Sequence, residues 1–248
     1  MLAYKIIGSG KPSCVLIHGF LESSEMWDAL SLDLLEISFI CIDLPGHGSS
    51  SFNGFTNVEK GMEELAFAVI EVLDSLNIHD FNIVGHSLGG YVALEVKRIR
   101  KNCKKLVLLN SNYLEDSPAK ILDRKRIASI VKKSKSLFIQ KAIPSLFSNP
   151  SSQKNEISRM TSSALTIPSD AIACTSLAMA SRKKWTSLEP TKDFYMIQGS
   201  LDHMRANRGN KFQLLDKNHV FKIDNAGHMS HIENPSELMR LLKLILEC

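Results

Sequence analysis

The sequence shows neither an apolar run that would span a membrane nor the pattern expected of a secretory leader. No stretch is apolar enough to cross a bilayer, and Ile6 and Ile7 are followed at once by Gly-Ser-Gly instead of a long apolar core. With 44% hydrophobic and 23% charged residues, the composition is that of an ordinary globular protein. We therefore expect a cytoplasmic protein without a membrane partner.

Cysteine is scarce, and the few cysteines follow no binding pattern. The five are widely spaced and never form a CxxC pair, which argues against a disulfide framework and a cysteine-based zinc site. Internal repeats and low-complexity tracts are also missing. At 248 residues, the chain has the length of one large α/β domain, or of a smaller domain that carries an insertion.

Positive charge is concentrated in one segment. The formal net charge is only +4, yet residues 117–141 contain eight Lys or Arg and a single acid, Asp123. Such a run is usually a solvated helix face, although an acidic partner would also suit it. We expect no nucleic-acid partner.

Short apolar runs alternate with helical patterns at both ends of the chain. Each run has the composition of a strand buried on both faces, and the runs span residues 13–18, 38–43, 81–85, 105–110, 194–199 and 219–223. Apolar residues spaced three or four apart predict helices from Ser24, over 58–76 and over 235–248. This alternation predicts an α/β fold with a mostly parallel central sheet flanked by helices.

The alternation stops after Asn110. Residues 112–190 instead predict several helices, interrupted at Pro118, Pro144, Pro150, Pro168 and Pro190. We predict a helical cap, or lid, over residues 112–190, inserted into a core of residues 1–111 and 191–248.

Ser87 lies in the segment Gly85-His86-Ser87-Leu88-Gly89, which has the form G-x-S-x-G. The segment joins a predicted strand to a predicted helix, the setting of a nucleophile elbow. Glycines two positions on either side let strand and helix approach each other, and the helix N-terminus favours developing negative charge. Ser87 is therefore the candidate nucleophile, with a plain strand-to-helix turn as the alternative.

A serine hydroxyl needs a base, and the base needs a group that fixes its tautomer. Of the eight histidines, His228 is the best placed, because a flexible Asn225-Ala226-Gly227 loop precedes it and follows the last predicted strand. Asp202 follows the strand before that one. Glu115 and Asp116 remain open as other sources of the carboxylate.

The oxyanion formed by attack on a carbonyl needs preorganised donors. The backbone N–H groups of Phe20 and Leu88 are the candidates for this oxyanion hole. The neighbouring His18, Gly19 and His86 are candidate substrate-binding residues, although His18 suits a loop-organising role better than that of a second base. No metal site is expected, because the pair in His228-x-x-His231 lacks a helical setting and a third ligand.

Five motifs together resemble the α/β-hydrolase family: V-L-I-H-G-F (15–20), D-L-P-G-H-G-S-S (43–50), G-H-S-L-G-G (85–90), Q-G-S-L-D (198–202) and A-G-H-M-S-H-I-E-N-P (226–235). The resemblance implies an eight-stranded type of sheet with abbreviated first strands and a helical cap after the sixth strand. The order Ser, Asp, His fits this family. The chain looks like the small bacterial esterases, including the carrier-protein methyl esterases of biotin synthesis, and like the lyase of menaquinone synthesis. Related epoxide hydrolases and haloalkane dehalogenases use aspartate at the elbow, so Ser87 argues against both.

These features predict a serine hydrolase that cleaves a small-molecule ester or thioester through an acyl-enzyme, without a cofactor. A C–C hydrolase or lyase of the same fold is the first alternative, and a non-catalytic ligand-binding receptor is the second. The basic cap would suit an acidic acyl carrier protein or an anionic acyl group such as a CoA thioester.

Overall fold

Seven strands form a single sheet in a computed structural model that describes residues 1–183, 193–206 and 219–247. The strand order is β1-β3-β2-β4-β5-β6-β7, with β1 antiparallel to β3 and every other pair parallel. The strands are β1 (Tyr4–Ile7), β2 (Ser13–Ile17), β3 (Ser38–Ile42), β4 (Phe81–His86), β5 (Cys103–Leu109), β6 (Phe194–Gly199) and β7 (Val220–Ile223). The predicted parallel sheet is confirmed, whereas the edge strand β1 was not among the predicted strands.

Helices cover the sheet and continue beyond it. They are α1 (Gly61–Ser75), α2 (Leu88–Ile99), α3 (Pro118–Ala142), α4 (Lys154–Thr166), α5 (Ser169–Ser181), α6 (His203–Ala206), α7 (Ser230–Glu233) and α8 (Pro235–Leu246). The helix predicted from Ser24 is instead a pair of short 3₁₀ turns, Ser24–Ala29 and Leu32–Leu34. The Ser24 amide donates to Asp43 Oδ1 at 2.7 Å, so a long-range contact sets the start of this segment.

Both faces of the central strands β2, β3 and β4 are buried, which explains why these strands are mostly apolar runs. Val15 and Ile17 point into a core formed with α1 and α2. Cys14 and Leu16, which alternate with them, point into a second core formed with the first 3₁₀ turn and α8. No helix of the described residues combines the length and apolar character needed to span a bilayer.

The segment between β5 and β6 is helical, and its prolines begin helices as well as interrupt them. Pro118 is the first residue of α3, Pro168 caps α5, and Pro144 and Pro150 each start a 3₁₀ turn, while Pro190 lies outside the described residues. Apolar side chains of α3, α4 and α5 form a third core. The segment follows the fifth strand described, whereas the resemblance to an eight-stranded sheet implied the sixth.

Candidate active site

Ser87 occupies a strained turn between β4 and α2. Its backbone has φ 50° and ψ −110°, a region that residues with a side chain rarely adopt. The turn is tightly packed: a Cβ on Gly89 would lie 2.3 Å from the Ile17 carbonyl oxygen, and one on Gly85 would lie 2.2 Å from the Gly89 carbonyl oxygen. The two glycines of G-x-S-x-G therefore let this turn form.

The elbow packing predicts a large stability loss for Gly89→Ala. The new methyl group would meet backbone atoms, which cannot rotate away, so we expect the free energy of unfolding to fall by more than about 3 kcal/mol in urea titrations. Gly54→Ala is the matched control. Gly54 has φ +86°, and a methyl group added there would have no atom within 4 Å, so this change should cost only about 1 kcal/mol. Equal losses in the two variants would contradict the steric argument.

Ser87, His228 and Asp202 lie in a continuous chain of hydrogen-bond contacts at the carboxyl edge of the sheet. His228 Nε2 is 3.0 Å from Ser87 Oγ, and His228 Nδ1 is 2.9 Å from Asp202 Oδ2. Burial alone raises the pKa of Asp202, but hydrogen bonding and attraction to His228, with further donors, hold that pKa at about 2. The ionised carboxylate therefore favours an Nδ1–H tautomer of His228, which leaves Nε2 facing the serine.

Asn110, which no sequence motif assigned to the site, supports this chain of contacts. Asn110 Nδ2 donates to Asp202 Oδ2 at 3.0 Å and to the Gly227 carbonyl at 3.1 Å. Its own position is unusual, since it follows β5 with φ 45°. An asparagine at the end of a predicted parallel strand was the available signal, because such ends meet at one edge of the sheet.

The carboxylate alternatives lie elsewhere. Asp116 accepts hydrogen bonds from Arg124 Nε at 3.2 Å and from an Arg182 terminal nitrogen at 2.7 Å. Glu115 is exposed and does not line the cavity beside Ser87. Asp202 is the carboxylate in contact with the His228 ring.

The candidate oxyanion donors lie on the two segments that flank Ser87. Leu88 begins α2, and Phe20 lies in the loop after β2 and lines the same cavity as Ser87. Neither amide donates a hydrogen bond to another residue of the described ranges. The role of these two N–H groups as oxyanion donors stays a prediction.

A buried ion pair connects the segment after β2, the end of β4 and the segment after β7, which meet beside Ser87. His86 Nδ1 donates to Glu22 Oε2 at 2.6 Å, and His86 Nε2 donates to the His228 carbonyl at 3.0 Å. Both ring nitrogens face acceptors, so both carry protons. Burial lowers the pKa of His86, but the interaction with Glu22 is larger in sum, so the pKa of His86 is raised. Burial raises the pKa of Glu22, but attraction to His86 and the hydrogen bond from His86 bring the pKa of Glu22 to about 2. Glu22 Oε2 also accepts from the Gly19 amide at 3.0 Å.

Glu22, His86 and His231 form a group with metal-ligating atoms. One carboxylate oxygen of Glu22 and one ring nitrogen from each histidine lie within 4.8 Å of one another. An ion bound there would have to displace the proton shared by Glu22 and His86. His231 Nε2 is 3.4 Å from Glu22 Oε1, and burial lowers the pKa of His231 to about 3, so this ring is neutral. Hydrogen bonding accounts for the Glu22–His86 contact without a metal.

The cavity beside Ser87 has a volume of about 200 Å³ and lies under the helical segment. Ser87, His86 and His228 line it, together with side chains from α3. His18 and Gly19, two of the predicted substrate-binding residues, are not among its lining residues. His86 reaches the cavity, but both of its nitrogens are engaged as described above.

His18 organises the loop after β3. His18 Nε2 accepts from the Leu44 amide at 2.9 Å, and Nδ1 donates to the Gly19 carbonyl at 2.8 Å. Asp43 secures the same loop by accepting from the Ser49 amide at 2.9 Å. These contacts fix the position of the strand ends behind the site.

The buried His47 in this loop predicts a pH-dependent stability. Burial, followed by repulsion from His18, lowers the pKa of His47 from 6.5 to about 3. Below about pH 6.5 the unfolded chain therefore binds a proton that the folded chain excludes, and stability falls by up to about 1.4 kcal/mol per pH unit. In urea titrations between pH 6.5 and 5, His47→Gln should flatten this slope, while His79→Gln, at an exposed position, should not. Equal slopes in both variants and wild type would contradict a neutral, buried His47.

A sequence profile of the alpha/beta hydrolase family matches residues 14–241. The chain belongs to the alpha/beta hydrolase family. Among solved structures, this hydrolase is similar to a thermophilic esterase from Thermogutta terrifontis, with a TM-score of 0.84 and 25% identity, covering 99% of this chain and 93% of that chain. An enol-lactonase from Burkholderia xenovorans LB400 shares the fold, with a TM-score of 0.84 and 19% identity, covering 100% of this chain and 96% of that chain.

Curated relatives of the hydrolase match a shorter stretch. The 2-succinyl-6-hydroxy-2,4-cyclohexadiene-1-carboxylate synthase of Escherichia coli O7:K1 is 36% identical over 85 residues, which is 34% of this chain and 32% of the relative. The enzyme of that name from Enterobacter sp. (strain 638) is 36% identical over 86 residues, covering 34% of this chain and 31% of the relative. The chain therefore matches only about a third of the length of these relatives.

Proposed function

We propose that this hydrolase is a serine esterase or thioesterase with Ser87 as nucleophile, His228 as base and Asp202 as the group that orients the base. The observation that carries the proposal is the unbroken contact from Ser87 Oγ through the His228 ring to Asp202, at 3.0 and 2.9 Å. The strained backbone at Ser87 supports it, because strain of this kind concentrates at functional sites.

The proposed reaction has two halves. Ser87 Oγ attacks the carbonyl carbon while His228 Nε2 takes the hydroxyl proton, and the N–H groups of Phe20 and Leu88 stabilise the oxyanion. The C–O or C–S bond to the leaving group then breaks, and His228 returns the proton to it. Water attacks the acyl-enzyme by the same route and releases the acid and free Ser87.

The proposal extends to the arrangement of the chain. Residues 112–190 would form a cap over the active site, and residues 1–111 and 191–248 the hydrolase core; the boundary at 190 lies outside the described residues. Cytoplasmic localisation stays a prediction. Docking of an acidic acyl carrier protein on the basic face of α3 also stays a prediction, although Lys132 and Arg126 already pair with Asp170 and Asp123.

The substrate class is tested by hydrolysis of a panel of p-nitrophenyl esters, acyl-CoA thioesters and methyl esters of acyl carrier protein. We expect wild type to hydrolyse at least one class and Ser87→Ala to keep only a trace of that activity. If a carrier docks on α3, kcat/KM for that substrate alone should fall steeply with salt. Turnover of every active substrate by Ser87→Ala at the wild-type rate would refute the proposal.

A lyase or C–C hydrolase of the same fold is the second candidate. The match to the synthase relatives favours it, although that match covers only about a third of each chain. Such a reaction would use Ser87 and His228 for proton transfer or attack with a carbon leaving group. Elimination or C–C cleavage that depends on Ser87, without hydrolysis of any ester on the panel, would select this candidate. A receptor without catalysis would bind ligands yet resist fluorophosphonate labelling.

A further inference from the structure

One wall of the cavity beside Ser87 is cationic. Lys120 and Arg124 are four residues apart near the start of α3, so they project from the same face of the helix, and both line the cavity. Much of the remaining lining is apolar and includes Phe20, Leu21, Ile127, Phe138, Leu146 and Met179. The cavity is therefore amphipathic, with positive charge on one side.

The carboxylates next to this wall are engaged by arginines. Asp116 is buried and forms ion pairs with both Arg124, at 3.2 Å, and Arg182, at 2.7 Å. Asp123, the other acid near Lys120, is exposed and pairs with Arg126 at 3.1 Å. Neither acid forms an ion pair with Lys120.

The acids that line the cavity itself are also engaged. Glu22 pairs with His86 and Asp202 pairs with His228. Within the described ranges, the Lys120 ammonium group makes no hydrogen bond or ion pair. Burial, and then repulsion from Arg124, lowers the pKa of Lys120, although attraction to Asp116, Tyr91 and Asp123 opposes this shift.

We propose that the substrate carries a carboxylate or phosphate group besides the bond that is cleaved, and that this anion binds Lys120 with Arg124 beside it. The apolar lining would take the chain that joins the anion to the reacting carbonyl at Ser87. A charge-assisted hydrogen bond to Lys120 in a partly desolvated cavity is stronger than the same contact in water. The inference rests on the proposed hydrolysis at Ser87 and adds the chemical class of its substrate.

Binding of matched esters to Ser87→Ala tests this inference without requiring turnover. Isothermal titration calorimetry compares monomethyl suberate, which has one free carboxylate, with dimethyl suberate and with a methyl ester of equal length that ends in a phosphate. We expect at least one anionic ester to bind ten-fold or more tightly than the neutral one. Whichever of the carboxylate and phosphate esters binds more tightly identifies the anion that the site prefers. Adding Lys120→Gln should weaken that ester about ten-fold, while adding Lys243→Gln, at an exposed site on α8, should not.

Two results would overturn the anion site. One is equal binding of neutral and anionic esters, and the other is anion binding that does not change in the Lys120→Gln background. Neither result affects the proposed nucleophile, which is tested separately by labelling of Ser87. Conversely, the anionic ester could bind in a Lys120-dependent way while a fluorophosphonate labels no serine of the wild-type protein. That result would support the anion site and refute the hydrolase mechanism.

Discussion

Replacing Ser87 with alanine is expected to lower kcat for the best ester substrate by about a million-fold. The size of the effect follows from the geometry: without Ser87 Oγ no acyl-enzyme forms, and His228 Nε2 loses the hydroxyl that it contacts at 3.0 Å. The amides of Phe20 and Leu88 would remain, so a small residual rate over water is expected. Steady-state kinetics with the panel substrate, supported by single-turnover measurements, gives both rates.

The Ser87→Ala result needs a control for folding, because the elbow is strained. Alanine should tolerate φ 50° no worse than serine does, so the free energy of unfolding should change by less than about 1 kcal/mol. A double variant, Ser87→Ala with His228→Ala, should be no slower than the single variant, since the two groups act as one unit. A Ser87→Ala enzyme that keeps more than a few per cent of wild-type kcat would contradict the nucleophile assignment.

Asp202→Asn is expected to lower kcat by about ten thousand-fold while leaving KM nearly unchanged. The asparagine would offer an N–H group to a site that already receives donors from Asn110, from the Met204 amide and from His228 Nδ1. His228 would then lose its negatively charged partner and its preferred tautomer. Kinetics at pH 7 to 8 measures the loss.

Glu115→Gln is the matched control for the carboxylate. Glu115 is one of the acids that the sequence left open, and the structure places it in an exposed position away from the cavity. Its kcat should stay within two-fold of wild type. A large loss in Glu115→Gln together with an active Asp202→Asn would show that Glu115, and not Asp202, supplies the carboxylate.

The sheet was predictable because strands that are buried on both faces consist mostly of apolar residues. Runs such as residues 13–18 and 81–85 are short, apolar on both faces and followed by Gly or polar residues, which favours a strand covered on both sides. The edge strand β1 has only four residues, none of them fully buried, so its apolar run is too short to predict a strand. The segment from Ser24 was predicted as a helix because its apolar spacing is helical, but contacts to Asp43 keep it in 3₁₀ turns.

The site was predictable where local motifs place a residue at a strand end. Ser87, Asp202 and His228 each follow a recognisable strand, so their convergence follows from a parallel sheet alone. Glu22 was not found, because its role depends on a contact with His86, 64 positions away, that no local pattern encodes. From the sequence, Lys120 is only one residue of a basic segment. Its position in the cavity could not be predicted, because that position depends on how α3 packs.

Labelling with a fluorophosphonate, followed by peptide mass spectrometry, tests whether Ser87 is the nucleophile and His228 its base. We expect a single adduct on Ser87 in the wild-type protein, and a labelling rate at least a thousand-fold lower in His228→Ala, which lacks the base. An adduct on another residue, no adduct at all, or labelling of Ser87 at an unchanged rate without His228 would contradict these roles.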